Sequence, residues 1–524
     1  MQARGLRAHV RGVLGIAALS LLGAAVPATA VATPGPPALG GATFLDVGPA
    51  SGPSGLPQIV DGHHRAVLLR SVDVAGLGDY WRRDLAVPYP TDPAAYADGR
   101  CPVTDTTIEP TPVCRRDTRK IASLGYDAIR LTVSWSLLEP KPGIVDATYL
   151  ARIAQVVGWA RADHLWVVID IHQDAWSKYA YSRGACPAPL DDTPGFDGAP
   201  DWATDASVPF CTVDNTRELD AGVAYNFQRL WSNAAGPDGV GLQDHVVHVM
   251  TVLAARFAKD PTVAGYDLFN EPSPGLVAPV ATEVLQLNRY YAKVAAAITS
   301  AVPGFRQLLF LEPNVTRATT TPAPAETAPW SALSSYRRAV YAPHVYTQVF
   351  TADALAGQPG AVQNAQDDWD AAVRDAKTMG LPLWVGEFGN GPAQDRAVLD
   401  EAFRQQDARG VAGGLWIWKE NHNDTAPDQT WSVQGSPREV SASRGYPVAL
   451  AGLLVSLAEE PLKHTFALSA KASQGTSIVF LPPSEGGHLI VTGATVHVRR
   501  TGAGARVVTV TATPGTTWRL TVRS

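Results

Sequence analysis

Cysteine is scarce in this chain, with 4 among 524 residues, at positions 101, 114, 186 and 211. None forms a CxxC pair and no His stands at ligand spacing beside them, which argues against a zinc site. Four cysteines allow three pairings; joining sequence neighbours, Cys101 to Cys114 and Cys186 to Cys211, would close two loops. There is no Lys/Arg-rich run among the 43 basic and 49 acidic residues, whose balance is −6. Nucleic acid is therefore not an expected partner. Beyond the N-terminus no stretch is apolar for long enough to cross a bilayer. No glycine-rich phosphate fingerprint follows any apolar run, which disfavours a doubly wound open sheet.

The N-terminus has the texture of a secretory signal over residues 1–30. Arg4, Arg7 and Arg11 form a basic start, Val13 to Ala25 a short apolar core, and Ala28-Thr29-Ala30 a small-residue cleavage site. Cleavage near Ala30 predicts a secreted protein with both disulfides formed, and removal of three Arg takes the charge from −6 to −9. Residues 31–54, rich in Pro, Gly and Ala, read as a flexible leader. A hairpin is expected where Gln58-Ile59-Val60 and Ala66 to Leu69 flank Asp61-Gly62.

From there strand and helix patterns alternate. Strands are expected at 71–76, 126–133, 165–171, 265–270, 307–311, 339–346, 383–387 and 413–418, with helical spacing in most of the intervals. Residues 175–240 interrupt the rhythm with Gly, Pro, Asp and two Cys, as a long insertion after the third strand. Val448 to Ala458 reads as a closing helix. About eight strand–helix units predict an α/β fold, a (β/α)8 barrel over residues 55–462. After residue 462 short strands split by Gly, Pro and Ser predict a C-terminal all-β sandwich over 463–524.

Active residues of such a barrel sit where its strands end. Reading those ends gives Arg130, His172 and Asp174, Asn270 and Glu271, His344 and Tyr346, Glu387, and Trp418. A carboxylate at the tip of a buried strand is expensive to place without a use, and here there are two, in Phe269-Asn270-Glu271-Pro272 and Val385-Gly386-Glu387-Phe388-Gly389. Two Glu on one barrel mouth, about 5 Å apart, are what double-displacement glycoside cleavage needs. The acid would require surroundings unfavourable to charge. Asn270 can bond the sugar hydroxyl beside the reacting carbon, Arg130 and Tyr346 can hold the other Glu ionised, and Trp418 can offer a flat platform. His172 fits a buried core histidine as well as a ligand contact, and Trp416 reads as core. No cofactor or metal is called for.

The ordered set Ile129-Arg130-Leu131, Phe269 to Pro272, His344-Val345-Tyr346 and Val385 to Gly389 resembles glycoside hydrolase family 5. That resemblance implies Glu271 as acid/base and Glu387 as nucleophile. Within the family the chain is most similar to endoglycoceramidases. This rests on Asp170-Ile171-His172-Gln173-Asp174, the Cys-containing insertion with Phe227 to Asn233, and the appended sandwich. It implies sugar contacts from Asp174 and Trp231, a glycolipid or oligosaccharide as partner, transient contact with a lipid surface and a monomeric state. The loop after the first strand, Gly76-Leu77-Gly78-Asp79-Tyr80-Trp81, departs from the subgroup in lacking a sugar-contacting Lys, which leaves galactosyl- or glucosyl-lipid as open as a ganglioside. An endo-β-glucanase, a steryl-β-glucosidase and a catalytically inactive glycan- or lipid-binding protein are the competing readings.

Overall fold

The structure, a computed structural model, describes residues 39–41, 43–79, 113–193, 195–213, 216–319, 328–346, 361–389, 395–419 and 431–523. The expected signal segment and Cys101 lie outside them.

Eight parallel strands make the barrel: Ser71–Val74, Ala128–Ser134, Trp166–His172, Val263–Asp267, Leu308–Leu311, Ala339–Tyr341, Trp384–Phe388 and Ala412–Leu415. They neighbour one another from the sixth back to the first, then the eighth and seventh. Parallel bridges Tyr341–Leu383 and Val345–Phe388 join sixth to seventh and close the ring. Every residue of the second and third strands is buried, as expected where helices cover a parallel sheet. The helices follow from apolar spacing. Ala147–Ala162 buries Ile153, Val156, Val157 and Ala160. Its first turn is capped by the Asp146 carboxylate, which accepts the Tyr149 N–H at 2.7 Å.

The barrel interior is layered. Val168, Leu308, Phe310, Val340, Ala342 and Trp384 belong to one apolar cluster that also takes in Val67 and Leu69. Two residues further along the second and third strands the side chains turn charged, at Arg130 and Asp170, both 0 % exposed. The apolar layer plugs one end, so a polar site can form only at the carboxyl ends of the strands.

Two expectations about the chain's ends are corrected. Within the supposed leader, Asp46–Ser51 is a strand, and it pairs with Leu56–Val60. The expected hairpin across Asp61-Gly62 is present as well: Val60 bridges Ala66 antiparallel, and the Val67 N–H donates to Ile59 O at 2.9 Å. The supposed closing helix at 448–458 is sheet: Tyr446–Ala449 and Gly452–Glu460 belong to two four-stranded antiparallel sheets that form the sandwich. A register shift between Leu454 and Ser456 explains the misreading. The extra residue puts the buried Leu454 and Leu457 three apart, a helical spacing inside a strand.

The sandwich is bonded to the barrel. Tyr446 Oη donates to Gly125 O at 2.8 Å and Ser443 Oγ to Leu124 O at 2.8 Å. Ala66 bridges Leu450. Gly125 has φ +98°, and a Cβ there would lie 2.1 Å from the Phe480 ring. The insertion holds a helix, Ala221–Trp231, and the disulfide Cys186–Cys211. Cys114 is disulfide-bonded too.

Candidate active site

Arg130 organises the floor of the mouth. Its guanidinium donates to Glu387 Oε1 at 2.6 Å, to Asn270 Oδ1 at 2.8 Å and to Asp267 Oδ2 at 3.1 Å. Glu387 also accepts from Tyr346 Oη at 2.7 Å. Two charge-assisted bonds thus fix both oxygens of this carboxylate in a buried position.

Glu271 is aimed by its backbone. Its φ is +41°, a left-handed conformation that costs a residue with a Cβ about 1 kcal/mol. Neighbours hold it there: Gln173 Nε2 donates to the carbonyls of Asn270 and Glu271 at 2.9 and 2.8 Å, and the Glu271 N–H donates to Glu312 Oε2. The Glu271 side chain meets His344 Nδ1 at 2.8 Å and lies 3.7 Å from Arg217 Nη2. Arg217 also pairs with Asp174 at 2.8 Å. His344 reaches Glu312 through Nε2 and lies 3.6 Å from Glu387 through Nδ1. His172 bonds Asp170 at 2.7 Å and stacks on Trp416, with ring centres 5.5 Å apart and planes 11° from parallel.

The electrostatics reverse one expectation. Burial would raise the Glu271 carboxyl, but the His344 hydrogen bond and charge, together with Arg217, outweigh it and hold the group below its ordinary range. His344 goes the other way: burial opposes its charge, yet Glu312, Glu387 and Glu271 hold its proton well above the usual histidine range. Burial pushes Glu312 up to about 8, against the pull of His344. The proton the site holds near neutral pH therefore belongs to a shared Glu271–His344–Glu312 cluster. Glu271, His344 and Glu387 have one ligand-type atom each within 4.8 Å of the others. Carboxylates meet both ring nitrogens of His344, which suits the grouping to moving protons.

The structure thus brings Arg130, Asn270, Glu271, His344, Tyr346 and Glu387 together, with His172 and Asp174 beside them. Two expected contacts are placed differently. Trp418 is 0 % exposed, within the main hydrophobic core, and cannot offer a platform. The eighth strand stops at Leu415, so strand alternation does not extend to residue 418. Trp416, read as core, is the partly exposed one and lies over His172. Trp231 is 8 % exposed, packs against Phe227, Phe269 and Tyr290, and gives its indole N–H to Ser273 O at 2.9 Å. Its place in this arrangement is to support the loop that follows Glu271.

Two residues escaped the sequence reading. Glu312 follows the fifth strand directly, by the same strand-end rule that found the others. Arg217 carried no signal, since it sits in the irregular insertion. The insertion also carries Lys178, which pairs with Asp79 at 2.6 Å and so places a Lys against the loop that lacks one.

The cellulase (glycosyl hydrolase family 5) profile matches residues 114–422, more than half of the chain. Endoglycoceramidase I of Rhodococcus hoagii (strain 103S) is 26% identical over 368 residues, which cover 68% of this chain and 66% of that protein. A glucosylceramidase of Aspergillus fumigatus is 25% identical over 246 residues, 41% of this chain and 32% of that one. In both cases the match spans less than two thirds of the relative's length. Among solved structures, an endogalactoceramidase superposes with a TM-score of 0.74 at 28% identity, covering 92% of this chain and all of that one. Endo-glycoceramidase II from Rhodococcus sp. in complex with ganglioside GM3 gives 0.68 at 20% identity, over 90% of this chain and all of that one, a likeness of fold. The chain belongs to glycoside hydrolase family 5.

Proposed function

We propose that this protein is a secreted retaining β-glycosidase that cleaves the bond between a glycan and its lipid aglycone, releasing sugar or oligosaccharide and ceramide from a glycosphingolipid. The observation that carries the chemistry is the separation of the two carboxylates. Glu271 and Glu387 have an oxygen each within 4.8 Å of one another. That closeness suits double displacement. The substrate class rests on the similarity to endoglycoceramidases and glucosylceramidases. Disulfides agree with export.

In the first step the Glu387 carboxylate, aligned by Arg130 and Tyr346, attacks the anomeric carbon. The bond to the leaving oxygen breaks, and that oxygen takes a proton from Glu271, which has received it beforehand across the 2.8 Å bond from His344 and is left ionised. In the second step Glu271, ionised again, removes a proton from water, and the hydroxide displaces Glu387 with the starting configuration restored. Asn270 faces the neighbouring sugar hydroxyl, Trp416 underlies the sugar ring, and His172 and Asp174 bond hydroxyls further out.

Thin-layer analysis of a panel of galactosyl-, glucosyl- and sialyl-sphingolipids, a steryl glucoside and a soluble β-glucan tests the substrate class. Free ceramide from at least one sphingolipid is expected. Turnover confined to the steryl glucoside or the glucan would overturn the lipid assignment while leaving the carboxylate mechanism in place.

A further inference from the structure

The charge of the chain is unevenly shared. The sandwich, residues 446–524, holds seven Lys and Arg and three acids, Glu459, Glu460 and Glu485, a net of +4 in a chain whose total is −6. Glu459 and Glu485 are buried, and Arg506, 7 % exposed, donates to backbone carbonyls nearby. Lys463 pairs with Glu460 at 2.5 Å. The remaining five, Lys471, Arg499, Arg500, Arg519 and Arg523, are exposed, and among the described residues none forms an ion pair.

Their placement is not scattered. His488–Thr492 is the edge strand of one sheet and Thr495–Arg500 the edge strand of the other. The chain passes from one to the other through two residues, so the two edges lie on the same flank of the sandwich. Arg519 and Arg523 pair in register with Thr492 and His488, which puts them on the same outer surface. Ile490 stands on that surface, and Val496, Val498 and Arg500 share the face of the second edge strand that is turned toward the first sheet; the three aliphatic side chains are 46, 37 and 39 % exposed. Arg499 faces the other way, in line with Val507 and with Phe480 against the barrel. All six residues of Thr495–Arg500 are exposed. Exposed edge strands with apolar side chains are a liability unless something covers them.

We propose that this flank docks the protein on an anionic lipid surface, with the arginines on headgroups and the three aliphatic side chains in the interfacial region. Three chemistries could meet a basic flank. A nucleic acid or a sulfated polysaccharide has use for the cations and none for the aliphatic side chains. A sugar-binding surface would need an aromatic platform, and the aromatic residues of the sandwich, Tyr446, Phe466, Phe480 and Trp518, are at most 1 % exposed. A lipid interface takes both cations and aliphatic groups. The inference concerns the surface on which the protein works, and stands apart from which glycoside is cleaved.

Co-sedimentation of the full chain with vesicles tests this without any glycolipid present. Binding is expected to vesicles of equal parts phosphatidylglycerol and phosphatidylcholine, with little to phosphatidylcholine alone, and a sharp loss at about 0.5 M salt. A basic residue near such a surface is worth about fivefold in partitioning. Replacing three, Arg500→Ser, Arg519→Ser and Arg523→Ser, should then weaken binding about 100-fold. Hydrolysis of a soluble aryl β-glycoside should be unchanged in that variant, which also certifies its folding. Val496→Ser with Val498→Ser should weaken vesicle binding while leaving its salt dependence. Equal partitioning onto neutral and anionic vesicles, or triple-variant binding like that of the wild type, would overturn the proposal. So would retention by heparin or DNA with the anionic vesicles ignored.

Discussion

Replacing Glu312 by Gln tests the idea that catalytic protons are held by a cluster. Glu312 is 3 % exposed, accepts the Glu271 N–H and contacts His344 Nε2. The amide keeps the size and can still accept that N–H, but it removes a group that, once ionised, places a negative charge in contact with the imidazole. A hydrogen bond to a charged partner is worth roughly 1.5–3 kcal/mol, and one pKa unit corresponds to about 1.4 kcal/mol. Whichever atom carries the proton, the His344–Glu271 pair should release it about one to two pH units lower. The sign is fixed: a negative neighbour raises the pKa of the pair, so its loss lowers it. Leaving groups that need protonation require the pair protonated, so the alkaline limb of the kcat/KM profile should move down by that amount. A dinitrophenyl β-glycoside leaves without a proton, and its alkaline limb should stay in place. The assay is initial-rate kinetics on an alkyl and a dinitrophenyl glycoside across pH. An unmoved limb on the alkyl substrate, or an equal shift on both, would refute the cluster.

Other outcomes follow from the same geometry. Glu387→Gln should abolish turnover on every substrate, and a fluorosugar should label Glu387 in the wild type; peptide mapping that finds the label elsewhere would sink the assignment. Glu271→Ala should spare the first step on activated substrates and stall the second, so azide should rescue it and give a glycosyl azide of the starting configuration. Trp416→Ala should cut kcat/KM with little change in melting temperature, whereas Trp418→Ala, which opens the core, should cost roughly 3–5 kcal/mol of stability. Cys186→Ser with Cys211→Ser removes a link across a separation of 25 residues. Loop-closure entropy puts that loss at about 3.5 kcal/mol, which protease susceptibility of the insertion would report.

The barrel was legible because burial on both faces writes its strands as continuous apolar runs such as Leu165 to Ile169. The rule that chemistry sits at strand ends then picked out Arg130, Asn270, Glu271, His344 and Glu387, which the structure gathers into one bonded network. The rule failed where strand geometry failed. The eighth strand ends before Trp416, so parity could not tell Trp416 from Trp418. The bulge after Leu454 imitated a helix. Arg217 depends on the fold of the whole insertion, and no local pattern foretells that its guanidinium lands beside Asp174 and Glu271. The protonation of Glu271 was misjudged for a related reason: burial could be guessed from one strand, but the opposing charge of His344 comes from another.

The seam at Gly125 bears on how such a chain can be inherited. Phe480 of the sandwich fills the space a side chain at 125 would occupy, and Tyr446 hydrogen-bonds the carbonyl of the same glycine. Each side of that contact is shaped by the other, so a recombination that grafted a different C-terminal half onto this barrel would import a mismatched surface. Substitutions at 125, 446 and 480 are expected to be tolerated in combination more readily than singly, which a double-mutant cycle between Gly125→Ala and Phe480→Leu would register as strong coupling. The two folds should therefore pass through descent as one unit, with the sandwich no more exchangeable than a helix of the barrel.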